Sequence, residues 1–389
     1  MRLKKEIENY IKKKSTILCI GPMSKNCIDS AIRISDKENI LLFLIASRRQ
    51  IDHSELGGGY VENWDTKKFS RYVSQKSKRK KVILCRDHAG PWQNNVEFEK
   101  RLSIEKAMQS AKNSLASDID SNFKILHLDP SVSLGLKSVS KKNILDRLFD
   151  LMIFCKEYSL KKNKKIYFEV GTEEQSGGTN SPAEIEFYLK TIMNFCEKNN
   201  IDKPIFTVIQ TGTKVLEMGN FGSFESELRI KNEIAPEIQV FKALEICKKY
   251  EIWIKEHNAD YLSNDSLSWH PKIGIHAVNV APEFGVCETK ALLFILNQHR
   301  LTKLKERFLN IAYNSGKWKK WLRQNSKITN YEKAIIAGHY TFSSPDFLIL
   351  KDEINFHFKK KKINLDLFLQ DQISKSIMRY IENFKLLNK

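Results

Sequence analysis

The chain has 389 residues, 41% hydrophobic, 29% charged and 10% aromatic, enough for one large barrel or two medium domains. Its longest apolar run, Ile40 to Ala46, is far short of the roughly 20 residues that span a bilayer. The net charge of +19 comes mainly from lysine runs without a nucleic-acid-binding signature or interleaved aromatics, so no nucleic-acid partner is expected.

In chain order, short apolar runs alternate with helical stretches. The strand-like runs are Thr16–Ile20, Ile40–Ala46, Val82–Cys85, Lys124–Leu128, Ile166–Glu169, Ile205–Ile209, Ile252–Glu256 and Ile273–Val278. Between them lie amphipathic segments such as Asn95–Leu115, Asn143–Tyr158, Ala183–Asn199 and Ile238–Lys249. Such alternation reads as βαβ units on a parallel sheet, and eight units predict a (β/α)8 TIM barrel within the α/β class. A Rossmann sheet is disfavoured because no G-x-G-x-x-G follows the first run. The 26-residue stretch Thr211–Pro236 is too long for an ordinary loop and is a candidate lid. Beyond residue 300, Arg300–Arg323 and Ile363–Leu387 read as basic helices around a turn-rich AGHYTFSSPD segment. The expected organisation is a barrel over 1–300 and a helical extension over 301–389, packed on the barrel or used as an oligomer contact.

Seven cysteines without a C-x-x-C pair argue against a disulfide framework, and the start lacks the apolar stretch of a secretory signal. A cytoplasmic protein without a membrane anchor is expected.

The strand ends carry Ser47, Asp87 with His88, Asp129, Glu169, Gln210, His257 and Asn279. In a barrel these ends meet on the face where active sites are built. Helix capping accounts for Ser47 and Asn279, but poorly for His88, Glu169, Gln210 and His257. His88 and His257 are candidate ligands of a divalent metal, with Glu169, Glu173 or Gln210 as third donor. His127 has the inward parity of Asp129 one layer deeper, where a satisfied core histidine is at least as good a reading as a ligand. The glycines of SELGGGYV and QSGGTN could approach an anion, but no P-loop follows and flexible loops are the plainer reading.

The segments IASRRQIDHSELGGGYV, ILCRDHAGP, FKILHLDPSVS, FEVGTEEQSGG, KEHNADY and AVNVAPEFG, spanning about residues 15–300, resemble the Z-type subunit family of tagatose-bisphosphate aldolase. That family is itself similar to class II, metal-dependent fructose- and tagatose-bisphosphate aldolases. The resemblance implies Asp87 as the proton-transferring acid, with Glu169 as a second catalytic carboxylate. It implies Zn2+ or another divalent metal at His88 and His257; of the third donors that the residues offer, Glu173 is the one expected to complete the set. Ser47, Arg49, Gln50, Asp129, Gln210, Asp260 and Asn279 are then the residues expected to hold a small sugar substrate.

Gln210 stands where class II enzymes have a zinc histidine, while Asp260 and Pro282 replace hydroxyl residues that hold phosphate. Fructose- and tagatose-1,6-bisphosphate are therefore expected to be poor substrates, with any substrate anion lying toward Arg48, Arg49 or Arg86. The resemblance also carries a tagatose-6-phosphate kinase label, for which no ATP-binding motif is present. Two functions follow: a class II aldolase-like carbon–carbon lyase on a sugar or sugar derivative, or a non-catalytic, chaperone-like subunit of a catalytic aldolase. A homo-oligomer is a further expectation for partners.

Overall fold

The structure is a computed structural model that describes residues 2–134, 139–171, 179–224 and 235–387. Its first half runs α1 (Arg2–Lys12), β1 (Ile17–Ile20), α2 (Lys25–Glu38), β2 (Leu42–Ser47), α3 (Thr66–Lys76), β3 (Val82–Ala89), α4 (Asn95–Glu99), α5 (Ile104–Asp120), β4 (Ile125–Leu128) and α6 (Lys141–Lys161). Then come β5 (Tyr167–Val170), α7 (Pro182–Lys198), β6 (Phe206–Val208), the hairpin strands β7 (Val215–Leu216) and β8 (Gly219–Asn220), α8 (Pro236–Lys249), β9 (Trp253–Glu256), α9 (Asn264–Ile273), β10 (Ala277–Val280) and α10 (Pro282–Gln298). The C-terminal part is α11 (Thr302–Asn314), α12 (Asn330–Ala337), α13 (Pro345–Lys359) and α14 (Leu365–Asn383).

Eight parallel strands close in the order β1-β10-β9-β6-β5-β4-β3-β2, because β1 pairs with both β10 and β2. This is the (β/α)8 barrel with a helical C-terminal region. The short apolar runs become these strands because both sides are covered, one by the barrel interior and one by helices. β1, β4, β5 and β10 are buried at every position. The segment Asn95–Leu115, read as one helix, is broken into α4 and α5, with Ser103 capping the second through Lys106 N.

The C-terminal region holds more helix than its sequence suggested. Thr329 and Glu332 form a capping box that starts α12, and Ser344 followed by Pro345 starts α13. A separate core, including Leu292, Leu296, Phe308, Leu350 and Phe358, joins α10 to these helices. In contrast, Ile373, Ile377 and Tyr380 of α14, with Phe384 just after it, belong to the barrel's own core. The backbone closes there too: Thr16 N donates to Phe384 O at 3.0 Å, and Ser15 Oγ to Lys385 O at 2.7 Å.

A buried carboxyl lies where α10 meets α2. Glu288 accepts hydrogen bonds from Ser24 Oγ and from Asn26 Nδ2 (2.8 Å), yet burial pushes its pKa up to about 7. The folded state therefore holds a proton that the unfolded chain, near 4.5, has released. Its contribution to stability is complete below about pH 4.5 and is lost as pH rises to 7, by roughly 3 kcal/mol. Glu288→Gln is expected to gain on the wild type between pH 5 and pH 8 in urea-unfolding midpoints. An equal offset at both pH values would contradict this account.

Candidate metal centre

In a regular strand Asp87 and His88 would face opposite sides of the sheet. Here the β3–β4 register shifts between Arg86 and Ala89, and His88 adopts φ +47°, a left-handed conformation unusual for a non-glycine residue. Both side chains thereby reach the same cluster. His127 enters from β4, Glu169 from β5, and His257 from the residue just after β9.

Asp87, His88, His127 and His257 offer ligand atoms that all lie within 4.8 Å of one another. The Asp87 carboxylate lies 3.4 Å from His127 Nδ1, 3.8 Å from His88 Nε2 and 4.0 Å from His257 Nε2. The imidazole centroids stand 4.9–5.1 Å apart. His127 is thus a third imidazole of the cluster rather than a satisfied core histidine. Its Nδ1 accepts from His88 N at 3.2 Å, and its Nε2 is buried with no hydrogen-bond partner. That ring fits only because residue 171 is glycine: a Cβ there would lie 2.4 Å from His127 Nε2.

The surrounding charges prepare the group. His88 Nδ1–H donates to Asp129 Oδ2 at 2.6 Å, which leaves Nε2 toward the cluster. Asp129 is itself held by Gln93 Nε2 (3.1 Å) and Ser131 Oγ (2.5 Å). Burial opposes charge on both partners, but Asp87 and Asp129 raise His88 to about 9, while His88 brings Asp129 down to about 2. Burial also works against ionised Asp87, and His88 first, then His127 and His257, outweigh it and hold the carboxyl far below its ordinary range. His257 goes the other way, pushed by burial down to about 4, so it is a neutral imidazole with a lone pair to give.

Glu169 faces the same nitrogens of His127 and His257 as Asp87 does, 3.8 Å from His127 Nδ1. Its Oε1 lies 3.3 Å from His257 Nε2 and its Oε2 accepts from Lys255 Nζ at 2.7 Å. Burial would neutralise Glu169, but Lys255 and then His127 lower it to about 2. Lys255 was not singled out by sequence, although inward parity next to Glu256 was a usable signal. Burial would lower its pKa, yet Glu169 outweighs this and raises it, so Lys255 is an ammonium and not an amine nucleophile.

The other expected site residues divide. Asn279 donates through Nδ2 to Asp87 Oδ1 at 3.3 Å, while its Oδ1 is buried without a hydrogen-bond partner. Ser47 is half-buried and is the register partner of Asp87. Gln210 lines a narrow pocket with His88, His127 and Asp129, its N–H donating to Asn180 Oδ1 at 2.8 Å. Glu173, expected as third metal ligand, and the QSGGTN glycines lie outside the described residues.

Gln50 instead stabilises the turn after β2: its Oε1 accepts from Ser47 N (2.9 Å), and its Nε2 meets Met23 Sδ at 3.1 Å. Gly59 belongs to the same packing, since a Cβ there would lie 1.9 Å from Gln50 O, so an anion cradle is not its role. Asp260, expected to face substrate, is buried and its Oδ1 accepts from Ala281 N (2.9 Å) and Glu283 N (2.8 Å). It caps α10, taking N–H groups of the kind that barrel enzymes often offer to phosphate.

Arg48 and Arg86, expected as anion partners, are corrected as well. Arg48 is fully buried and bonded to Asp52 (3.0 Å) and Glu97 (2.6 Å), and Arg86 makes a bidentate pair with Asp118 at 2.6 and 2.7 Å. Neither is free to meet a ligand.

The C-terminal region and the long loop after β6 wall the barrel mouth. The described part of that loop, up to Phe224, carries the β7–β8 hairpin and is fastened on both sides. Thr213 Oγ1 donates to His257 O at 2.7 Å, Asn220 Nδ2 to Asn258 O at 2.7 Å, and Glu217 N to Trp321 O at 2.7 Å. Glu62 N donates to Ser343 Oγ at 2.7 Å, tying the loop after β2 to the same region.

Comparison with solved structures gives the same architecture. A probable tagatose 6 phosphate kinase from Sinorhizobium meliloti 1021 superposes with a TM-score of 0.74 at 16% identity, over 95% of this chain and 100% of that one. A fructose-bisphosphate aldolase from Campylobacter jejuni gives 0.58 at 11% identity, over 100% and 95% of the two chains. The fructuronate-tagaturonate epimerase of Cohnella laeviribosi gives 0.57 at 10%, over 95% and 81%. At such identities the likeness shows the fold. Comparison with curated protein sequences finds no match. No helix among the described residues is long and apolar enough to cross a membrane. Residues 4–207, which include β1 to β5 and three of the four clustered residues, match the family described as D-tagatose-1,6-bisphosphate aldolase subunit GatZ/KbaZ-like, and the chain belongs to that family.

Proposed function

We propose that this protein is a divalent-metal-dependent carbon–carbon lyase acting on a sugar derivative, with His88, His127 and His257 holding the metal. The observation that carries the reading is the convergence of three imidazole nitrogens on Asp87 at the C-terminal rim of the barrel. The donor set fits Zn2+ or a similar cation: three nitrogen ligands with an open fourth position is a common catalytic arrangement. Ligand nitrogens around zinc stand about 3.3 Å apart at bond lengths of about 2.0–2.1 Å, so a spread of 4.8 Å needs only a modest closing of the rings. Asp129 behind His88 is the kind of oriented carboxylate that such a ligand requires, while Glu169 meets the same His257 nitrogen that faces Asp87.

Bound there, the cation supplies Lewis-acid polarisation of a substrate carbonyl. The chain's own residues do the rest. Asp87 takes the proton of the hydroxyl two carbons from that carbonyl. The bond between that hydroxyl's carbon and the carbon next to the carbonyl breaks, an aldehyde leaves, and the electron pair remains on the carbonyl-bearing fragment until it is reprotonated. Asn279 Oδ1 and the Ser47 hydroxyl receive neighbouring hydroxyls, and Glu169 with Lys255 holds His257 in register. Because Asp260 already caps α10, a substrate phosphate has no place at that helix, and the two hexose 1,6-bisphosphates are poor substrates on this reading.

Protein purified without chelator and supplied with Zn2+, Mn2+ or Co2+ is expected to hold about one equivalent, and His88→Ala to lose it. Less than about a tenth of an equivalent in the wild type, with no metal restoring turnover, would sink the metal mechanism.

A second reading follows from the family description, which is that of an aldolase subunit. Ile238 and Phe241 on α8 are more than half exposed, the apolar contribution a partner subunit could cover. Co-purification with a class II aldolase supports it, and a stable homo-oligomer with its own turnover argues against it.

A further inference from the structure

Of the three arginines nearest the second and third strand ends, two are saturated and one is not. Arg49 sits in the turn two residues beyond Ser47, and Tyr60 N donates to its carbonyl at 3.1 Å. Its Nε is buried with no hydrogen-bond partner. Among the described residues no carboxylate lies within 4.0 Å of its side chain, in contrast to Arg48 and Arg86. Arg49 is half-buried, and a buried guanidinium N–H left without an acceptor is costly unless a ligand reaches it.

A second cation is tied to the same turn through a chain of aromatic rings. Lys320 belongs to the segment after α11, and its Nζ lies 4.7 Å from the Trp321 ring centroid and 5.2 Å from that of Tyr340. Tyr340 in turn packs on Tyr60 at 4.7 Å, beside the Arg49 turn. The Arg49 charge acts on Tyr60, Tyr340 and Lys320 together. Lys320 is exposed overall, with its ammonium set against the two rings. Desolvation of the ammonium first, then Arg49 and Lys317, pushes its pKa down to about 7, with no acidic group to offset them.

We propose that Arg49 and Lys320 form the subsite for the anionic end, a carboxylate or a phosphate, of the sugar that the metal centre acts on. The proposal rests on the reading of that centre as a sugar site. Two cations that act on one another, neither with a carboxylate partner among the described residues, repel, and a bound anion turns that repulsion into charge-assisted contacts. The subsite is joined to the centre on both sides. Ser47, two residues before Arg49, is in register with Asp87. Lys320 precedes Trp321, whose carbonyl is fastened to the loop that also bonds His257. The guanidinium offers a planar fork and the ammonium a point charge, a pairing that suits one small oxyanion. The C-terminal extension thus gives the site a specificity residue that a bare barrel lacks.

The test is calorimetric titration of metal-free protein with D-glucitol, D-gluconate and D-glucitol 6-phosphate, which share a polyol chain and differ in the anion. At least one anionic probe is expected to bind about tenfold or more tighter than D-glucitol. The stronger of the two identifies carboxylate or phosphate as the preferred group. Lys320→Met should remove that preference, Arg49→Met likewise, and Lys317→Met should leave it. Equal binding of all three probes by the wild type, or an undiminished preference in Lys320→Met, would overturn the proposal. Should Lys320→Met fail to fold, mass-spectrometric mapping of lysine acetylation decides. Lys320 should be protected at least about fivefold by the tighter anion and not by D-glucitol, and no protection counts against the subsite. His88→Ala, titrated in parallel, separates the two readings. Loss of metal with retained anion preference upholds the subsite alone, and metal binding without anion preference upholds the centre alone.

Discussion

Asp118→Asn is expected to cost about 3–5 kcal/mol of stability, the usual consequence of leaving a buried cation without its partner. Arg86 and Asp118 are fully buried, joined by two bonds of 2.6 and 2.7 Å, and Arg86 Nη1 also holds Ala46 O (2.8 Å) and Ile51 O (2.7 Å). Burial works against charge on Arg86, but Asp118 more than offsets it. With Asn in place the guanidinium keeps its backbone acceptors and loses its countercharge. For a chain of this length, with about 2.1 cal/mol/K of unfolding entropy per residue, the melting temperature should fall by about 4–6 °C. The double variant Arg86→Met, Asp118→Leu should recover a substantial part, since it removes the charge together with its partner. Scanning calorimetry of the three proteins checks this, and a neutral single variant would contradict it.

His127→Ala is expected to lower divalent-metal affinity by at least about a hundredfold, more than the 10–100-fold typical when an outer partner of a ligand is lost. His127 brings one of the three imidazole nitrogens to Asp87. No other described imidazole lies close enough to replace it. Gly171→Ala should act in the same direction by displacing the ring, because its Cβ would stand 2.4 Å from His127 Nε2. Glu169→Gln should cost less, since it loosens His257 without removing a ligand. Competition titration with a chromophoric zinc chelator ranks the three. If His127→Ala binds zinc like the wild type, His127 is not a ligand, and the centre reduces to His88, His257 and Asp87.

The barrel was legible because buried parallel strands leave an unmistakable trace, short apolar runs with polar residues at their C-terminal ends. The composition of the site was harder to read. Strand periodicity would separate Asp87 from His88, and only the register shift at β3 joins them. His127 looked like core because a residue one layer below the rim normally is. The space that makes it part of the cluster is created by Gly171 on the neighbouring strand. Arg48 and Arg86 looked like anion ligands because their carboxylate partners lie in the turn after β2 (Asp52) and on α4 and α5 (Glu97 and Asp118). Asp260 looked like a substrate residue because the hydrogen bonds it makes are to backbone 21 and 23 residues away. Helices α12 and α13 escaped notice because their caps lie within turn-rich sequence.

The bond from Thr16 N to Phe384 O has a bearing on synthesis. α14 packs between α2 and α10, and its Tyr380 hydroxyl reaches Glu283 Oε2 at 2.5 Å, so the seam beside β1 is sealed by residues translated some 365 positions later. At about 5–20 residues per second, the nascent chain waits roughly 20–75 s on the ribosome with that flank of β1 and α2 uncovered. The apolar side chains of α2 that later meet α14 are exposed throughout this interval. A ribosome stalled anywhere before α14 would hold a barrel open along one edge, a species that chaperones and proteases should recognise before any catalytic defect becomes visible.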